Sequence, residues 1–281
     1  MRKAMNFKAT WYGAQALLVT GATLTSSFLG AGDALAQSMP AICQTPGALA
    51  SLPCRGTPSS FFITIVEMGL CKSEPIQASI FERKPAECVK TYPSGDAEGS
   101  EEIEIASGAP LQLGKIDDFP FGDYQNAYVI VKKRFGYTAS YNVGGIVFST
   151  TGVTLNPNSD SYVGQMAAGV AAQRFNLNLE NFESGTGACS TTFGPATFPD
   201  NPGSLRAILV NSSNQNPGGC SNSVDRLIGS FKFANPISIN ENAALTVKFM
   251  VKNFGVFFQE GDAGAIEAVG GPFRSHFTVS R

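Results

Sequence analysis

The chain has 281 residues, 15% of them charged, with 20 Lys and Arg against 22 Asp and Glu, a formal net charge of −2 and one histidine. Charge this sparse and this balanced supplies no basic stripe for nucleic acid or an anionic membrane surface. The 43% hydrophobic content over this length is enough to bury a sizeable core without help.

At the N-terminus Arg2, Lys3 and Lys8 precede a charge-free stretch from Ala9 to Gly32, and Ala34-Leu35-Ala36 follows. A basic start, an apolar middle and a small-x-small end form an export signal, so residues 1–36 are expected to be removed before Gln37. Thr, Ser and Gly dilute the apolar stretch below the roughly 20 predominantly apolar residues of a spanning helix. No later segment is long and apolar enough to span as a helix, so no membrane span is expected once the signal is gone. The mature chain is expected to be secreted, in the extracellular space or at the cell surface, with the periplasm as the other exported destination.

Cys43, Cys54, Cys71, Cys88, Cys189 and Cys220 all follow the cleavage point. An even number of cysteines in an exported chain favours disulfides. No pair is spaced Cys-x-x-Cys, and the single histidine leaves zinc and thioredoxin-like chemistry without ligands or motif. Nearest-neighbour pairing, 43–54, 71–88 and 189–220, is the simplest connectivity. In "GLCKSEPIQASIFERKPAECVKTY" (69–92) the bracketing cysteines then staple a hairpin-like excursion.

Residues 37–59 are rich in proline and glycine and lack periodicity, which predicts an irregular, disulfide-stapled leader. "SFFITIVEMGL" (60–70) is a near-continuous apolar run of β-formers, suited to a strand buried on both faces. "ASIFER" (78–83), "ECVKTY" (87–92) and "EEIEIA" (101–106) alternate with a period of two. "NAYVIVKKRF" (126–135) and "YTASYNVGGIVFST" (137–150) predict a hairpin turning at Gly136, with a glycine bulge at 144–145. "QMAAGVAAQRF" within 161–182 is open between a short helix, weakened by Gly164 and Gly169, and strand. Residues 184–223 read as loop around one strand, "LRAILV" (205–210). "RLIGSFKF" (226–233), "ALTVKFMV" (244–251), "FGVFFQ" (254–259) and "FRSHFTVS" (273–280) read as strands. In the last, Phe273, Phe277 and Val279 are expected inward and Arg274, His276 and Thr278 outward.

Strands at intervals of about 8–15 residues with glycine-rich turns predict an all-β fold, an antiparallel β-sandwich or jelly roll with long loops and at most one short helix, in a single domain over 60–281. An outer-membrane barrel is the rival. It needs alternating strands of about ten residues with aromatic girdles, and these strands are shorter.

Candidate sites are few. His276 lies on the polar face of an end strand, which ill suits it to anchor a serine or cysteine triad, and a surface histidine is the ordinary reading. Asp117 and Asp118, with Asp123 nearby, are the densest carboxylates, but sequence neighbours on a strand point to opposite faces, and turn residues are the plainer reading. Asp96, Glu98 and Glu101 on a glycine-containing loop offer oxygen ligands of the kind calcium takes, without the spacing of an EF-hand. "EGDAGAIE" (260–267) is a lesser version of the same. No cofactor is expected unless calcium binds at Asp96, Glu98 and Glu101. Phe273, Phe277 and Val279 form an apolar face on a terminal strand that assembly could use. The expectation is a non-enzymatic, disulfide-stapled structural protein that partners with itself as a filament or coat subunit. A binding module for a small apolar ligand or glycan comes next, and a carboxylate-dependent hydrolase last.

Overall fold

The computed structural model describes residues 41–45, 49, 54–93, 99, 101–105, 110–112, 120–154, 163–182, 189–198, 201–220, 223–240, 244–261, 264–271 and 273–280. The expected export signal, Asp96, Glu98, Asp117 and Asp118 lie outside them. The architecture is all-β: a curled half-barrel sheet stands beside open sheets, and every named strand pair is antiparallel. The described residues include one short 3-10 helix, Ala41–Gln44.

The apolar run becomes β2 (Ser60–Cys71), the pivot of a nine-stranded sheet. Along one edge it pairs with β8 (Gly122–Lys132) and β9 (Arg134–Thr138), which follow one another with only Lys133 between them. Along the other edge lie β5 (Cys88–Tyr92) and β6 (Glu102–Glu104). The far side of β8 carries β16 (Arg226–Ile239), β15 (Asn201–Val210) and β14 (Thr192–Phe198), whereas the far side of β9 carries β13 (Phe175–Asn178).

Lys133 is where the neighbour changes. Its N–H donates to the Asp225 carbonyl just ahead of β16 (2.9 Å), and its own carbonyl accepts from the Leu179 N–H just beyond β13 (2.8 Å). Its ammonium meets Glu180 at 2.5 Å, with the Glu180 side chain only 6% exposed. Both backbone groups and the buried charge are therefore satisfied at the fork, as a buried sheet junction demands.

The second sheet runs in the order β1 (Cys54–Gly56), β18 (Val256–Glu260), β19 (Ile266–Gly270), β12 (Val163–Ala168), β11 (Ile146–Thr154), β10 (Ser140–Val143). Its two outer strands are drawn together by one residue. Cys43 is disulfide-bonded to Cys54 of β1, while its carbonyl accepts the hydroxyl of Tyr141 from β10. Within the curl the Tyr141 ring stacks on Phe258 at 4.9 Å. The two sheets are tied by Tyr137 of β9, whose buried hydroxyl donates to the Ala268 carbonyl of β19 at 2.8 Å.

A third sheet of β20 (Arg274–Ser280), β17 (Ala244–Met250) and β7 (Pro110–Gln112) closes the core. Leu245, Val247 and Phe249 are buried along β17, as their alternation predicts. The Phe277 ring packs on Phe231 and Phe233, and Phe273 packs on Phe61, Phe135 and Phe249.

Several sequence expectations are corrected. The chain does not turn at Gly136. That residue stays extended inside β9, paired with Phe62 on one side and Asn176 on the other, and the Arg174 guanidinium occupies the space a side chain would take, 2.4 Å from an added Cβ. The turn falls at Gly144-Gly145, both left-handed (φ 59° and 84°), with Val143 opposite Ile146. This is the two-residue hairpin loop that two consecutive glycines favour. The segment 163–178 is strand, turn and strand, since Gly169 (φ 68°) ends β12. The 184–223 region contains the β14–β15 pair, and "AIEAVG" forms β19. β1 makes part of the leader a sheet strand. Arg274 is buried because the turn after β17 covers that face, placing its guanidinium 4.3 Å from the Phe254 ring centroid.

Glu180→Ala should strand the Lys133 ammonium at the fork and cost about 2–4 kcal/mol. A denaturant midpoint unchanged from the parent chain would contradict this role for the pair.

Candidate functional site

The excursion between Cys71 and Cys88 gives the molecule its most elaborate surface feature. Strand pairing places the two cysteines directly opposite one another on β2 and β5, and a disulfide joins them there. Between them β3 (Ile76–Gln77) and β4 (Ile80–Phe81) form a small two-stranded ribbon. The ribbon folds back over the outer face of the nine-stranded sheet and caps a second apolar cluster. Val66, Cys71, Tyr128, Ile130, Ile208 and Ile228 form its floor, covered by Ile76 and Phe81. This cap is why β2 is buried on both faces.

Polar contacts pin the cap. Glu67 is the one charged residue within β2, and its carboxylate accepts the Tyr128 hydroxyl at 2.6 Å and an Arg83 N–H from the excursion at 3.0 Å. The Phe81 ring packs on the Tyr128 ring at 5.3 Å. Gly69 is required beneath Tyr128, because a Cβ there would lie 2.4 Å from the ring and from the Val89 carbonyl oxygen. Burial, reinforced by the Glu67 charge and hydrogen bond, pushes the Tyr128 phenol far above its ordinary range. Such a phenol is neutral at any working pH, which suits a structural hydrogen bond and not proton transfer.

A second polar clamp crosses the sheet elsewhere. Arg174 makes a two-pronged contact with Glu102 of β6 and lies 4.2 Å from the Phe62 ring centroid on β2. Its Nε donates to Asn176 of β13 at 2.9 Å. With Gly136 of β9 beneath it, the side chain spans four neighbouring strands. The Arg174 hydrogen bond holds the Glu102 carboxyl below its ordinary range. At Asp225 burial acts upward, but hydrogen bonds and charge from Lys132 and Arg226 outweigh it and hold the carboxyl low. These acids are committed to neighbours, not aimed into a cleft.

All six cysteines are paired, 43–54, 71–88 and 189–220, and none is free. Glu101 is exposed, and its two companions in the calcium set lie outside the described residues. Among the described residues no three His, Cys, Asp or Glu gather as a metal site. Asp123 accepts the Ser238 hydroxyl at 2.5 Å. His276 is exposed on β20 opposite Lys248. Phe277 is buried, and Phe273 and Val279 pack on the same core, so the face considered for assembly is engaged within its own chain. The Glu67–Tyr128–Arg83 set escaped the sequence reading. Its only signal was a lone acid inside an apolar strand, and Arg174 with Glu102 left none.

Beside the cap lies a groove of about 300 Å³, between Ile76, Ala78 and Ser79 on one side and Thr192, Phe193, Gly194, Arg206 and Ala207 on the other. Among the described residues no helix is long and apolar enough to cross a membrane. Comparison of the chain with known protein families, curated proteins and solved structures returns no match.

Replacing Cys71 and Cys88 together by serine should release the cap, lowering stability by about 2–5 kcal/mol. Limited proteolysis should then cut first within 72–88, and an intact excursion in the double variant would contradict the pinning role. Alkaline pH should also unfold the protein. Burial raises the phenols of Tyr124, Tyr128, Tyr137 and Tyr141. An unfolded tyrosine ionises near pH ~10, so the stabilisation is full below that value and falls as pH climbs above it. Tyrosinate absorbance for these residues should rise together with loss of β-sheet circular dichroism; ionisation ahead of unfolding would contradict their burial.

Proposed function

We propose that this is an exported, non-enzymatic structural protein of the cell surface or extracellular space, acting through its shape and associating with copies of itself. The supporting observation is that stabilising devices and polar groups are spent inside the chain. Three disulfides leave no free thiol. Glu67, Glu102 and Glu180, which could have served as acids or bases, are each held by an arginine or lysine. A catalytic carboxylate needs open access to a substrate, and acids paired across strands offer it poorly. Crosslinks that restrict the unfolded chain suit a protein working outside the reducing cytosol.

Self-association is the finer part of this reading. It is tested on residues 37–281 produced in an oxidising compartment, by light scattering after size exclusion across a wide concentration range and by negative-stain imaging. Concentration-dependent oligomers or filaments are expected. A strict monomer throughout would remove the assembly role. Thiols titrated under denaturing, non-reducing conditions would separately remove the exported, crosslinked reading.

A further inference from the structure

Most described arginines outside the groove beside the cap are engaged, the exposed Arg134 of β9 excepted. Arg55 faces Phe257, Arg83 pairs with Glu67, Arg174 with Glu102, Arg226 with Asp225, and Arg274 covers Phe254. Arg206, partly exposed in the groove, has no hydrogen-bond, ion-pair or aromatic partner among the described residues, and it is the only charged residue of the lining. Its cross-strand neighbour Ser230 is fully buried, and that hydroxyl also lacks a hydrogen-bond partner among the described residues. That hydroxyl lies outside the groove lining, so the charged group the groove offers is the Arg206 guanidinium itself.

The local backbone keeps the groove open. β14 slips register between Phe193 and Ala196, and Gly194 sits at φ 93° within that irregularity. A Cβ at Gly194 would lie 2.4 Å from the Leu205 carbonyl oxygen and 3.2 Å from the Arg206 Cα, so glycine is what lets β14 pass this close to the β15 backbone. Bulges of this kind re-aim side chains at edges and sites. Lys232, exposed one row along the same face, adds a second positive charge.

We propose that this groove binds a small carboxylated ligand of the acidic-sugar class. The guanidinium fork matches a carboxylate in two parallel hydrogen bonds. The hydroxyls of Ser79 and Thr192 suit sugar hydroxyls, and the part-buried Phe193 ring offers an apolar wall to a pyranose face. The volume is at the lower end for ligand sites and accepts one or two sugar rings. The inference is independent of self-association, since a monomer and an assembled subunit would carry the same groove.

The test titrates the disulfide-intact mature chain with digalacturonate, with neutral galactobiose alongside, by calorimetry and by chemical-shift mapping. Digalacturonate should bind with shifts at residues 76–79, 192–194 and 206, weaken as salt is added, and exceed galactobiose by about tenfold or more. Arg206→Gln should lose about tenfold in affinity while keeping its melting temperature, and Arg206→Lys should fall between. Thr192→Trp, at an exposed position on the rim, should block binding without touching the arginine, and it serves if the arginine variant does not fold. Failure of digalacturonate to bind, equal binding of both sugars, or unchanged affinity in Arg206→Gln and Thr192→Trp would each overturn the proposal.

Discussion

Strand β2 can lie in the middle of the nine-stranded sheet only because both of its faces are kept from water. Ile63, Ile65, Met68 and Leu70 meet the main core. Val66 and Cys71, facing the other way, would be exposed without the excursion that the Cys71–Cys88 disulfide holds over them. An apolar strand with one uncovered face invites edge and face association. Here the chain supplies its own cover, and the cap also decides where the charge of Glu67 can be placed.

The long pairing of β2 with β8 and β9 then sets the positions of everything that follows. The fork at Lys133 lets one strand run serve two different neighbours, with β16 on one half and β13 on the other. Beyond the fork, Tyr137 reaches from β9 to the half-barrel, so a register error in β2 would misplace its hydrogen bond to the Ala268 carbonyl. Register errors of one residue exchange the two faces of a strand, and here they would drive Tyr128 and Glu67 into the aliphatic core. Polar groups that fit only one register make that error expensive.

Several ionisable groups are engaged in the same way. Acids that meet arginine or lysine inside a sheet strengthen a shape, and phenols raised by burial remain neutral. In the groove by the cap, Arg206 meets no acid among the described residues. The crosslinked sheets and the groove therefore draw on different elements, the groove on the bulged strand β14 and the ribbon of the cap.

Local pattern in the sequence was enough to read strand-rich architecture, the apolar alternation of β17, the double burial of β2 and nearest-neighbour cysteine pairing, because each depends on residues close along the chain. Period-two alternation reports which side of a strand is dry, and short loops favour nearby sulfurs. Position in space decided the rest. Gly136 looked like a turn but accommodates Arg174, which arrives just ahead of β13, almost forty residues later. β19 hid in an acidic, glycine-containing stretch because its partners β12 and β18 supply the burial that its own composition does not advertise. The Glu67 network and the Arg206 groove each join segments distant in sequence, and no local periodicity encodes which distant side chain a strand edge will meet.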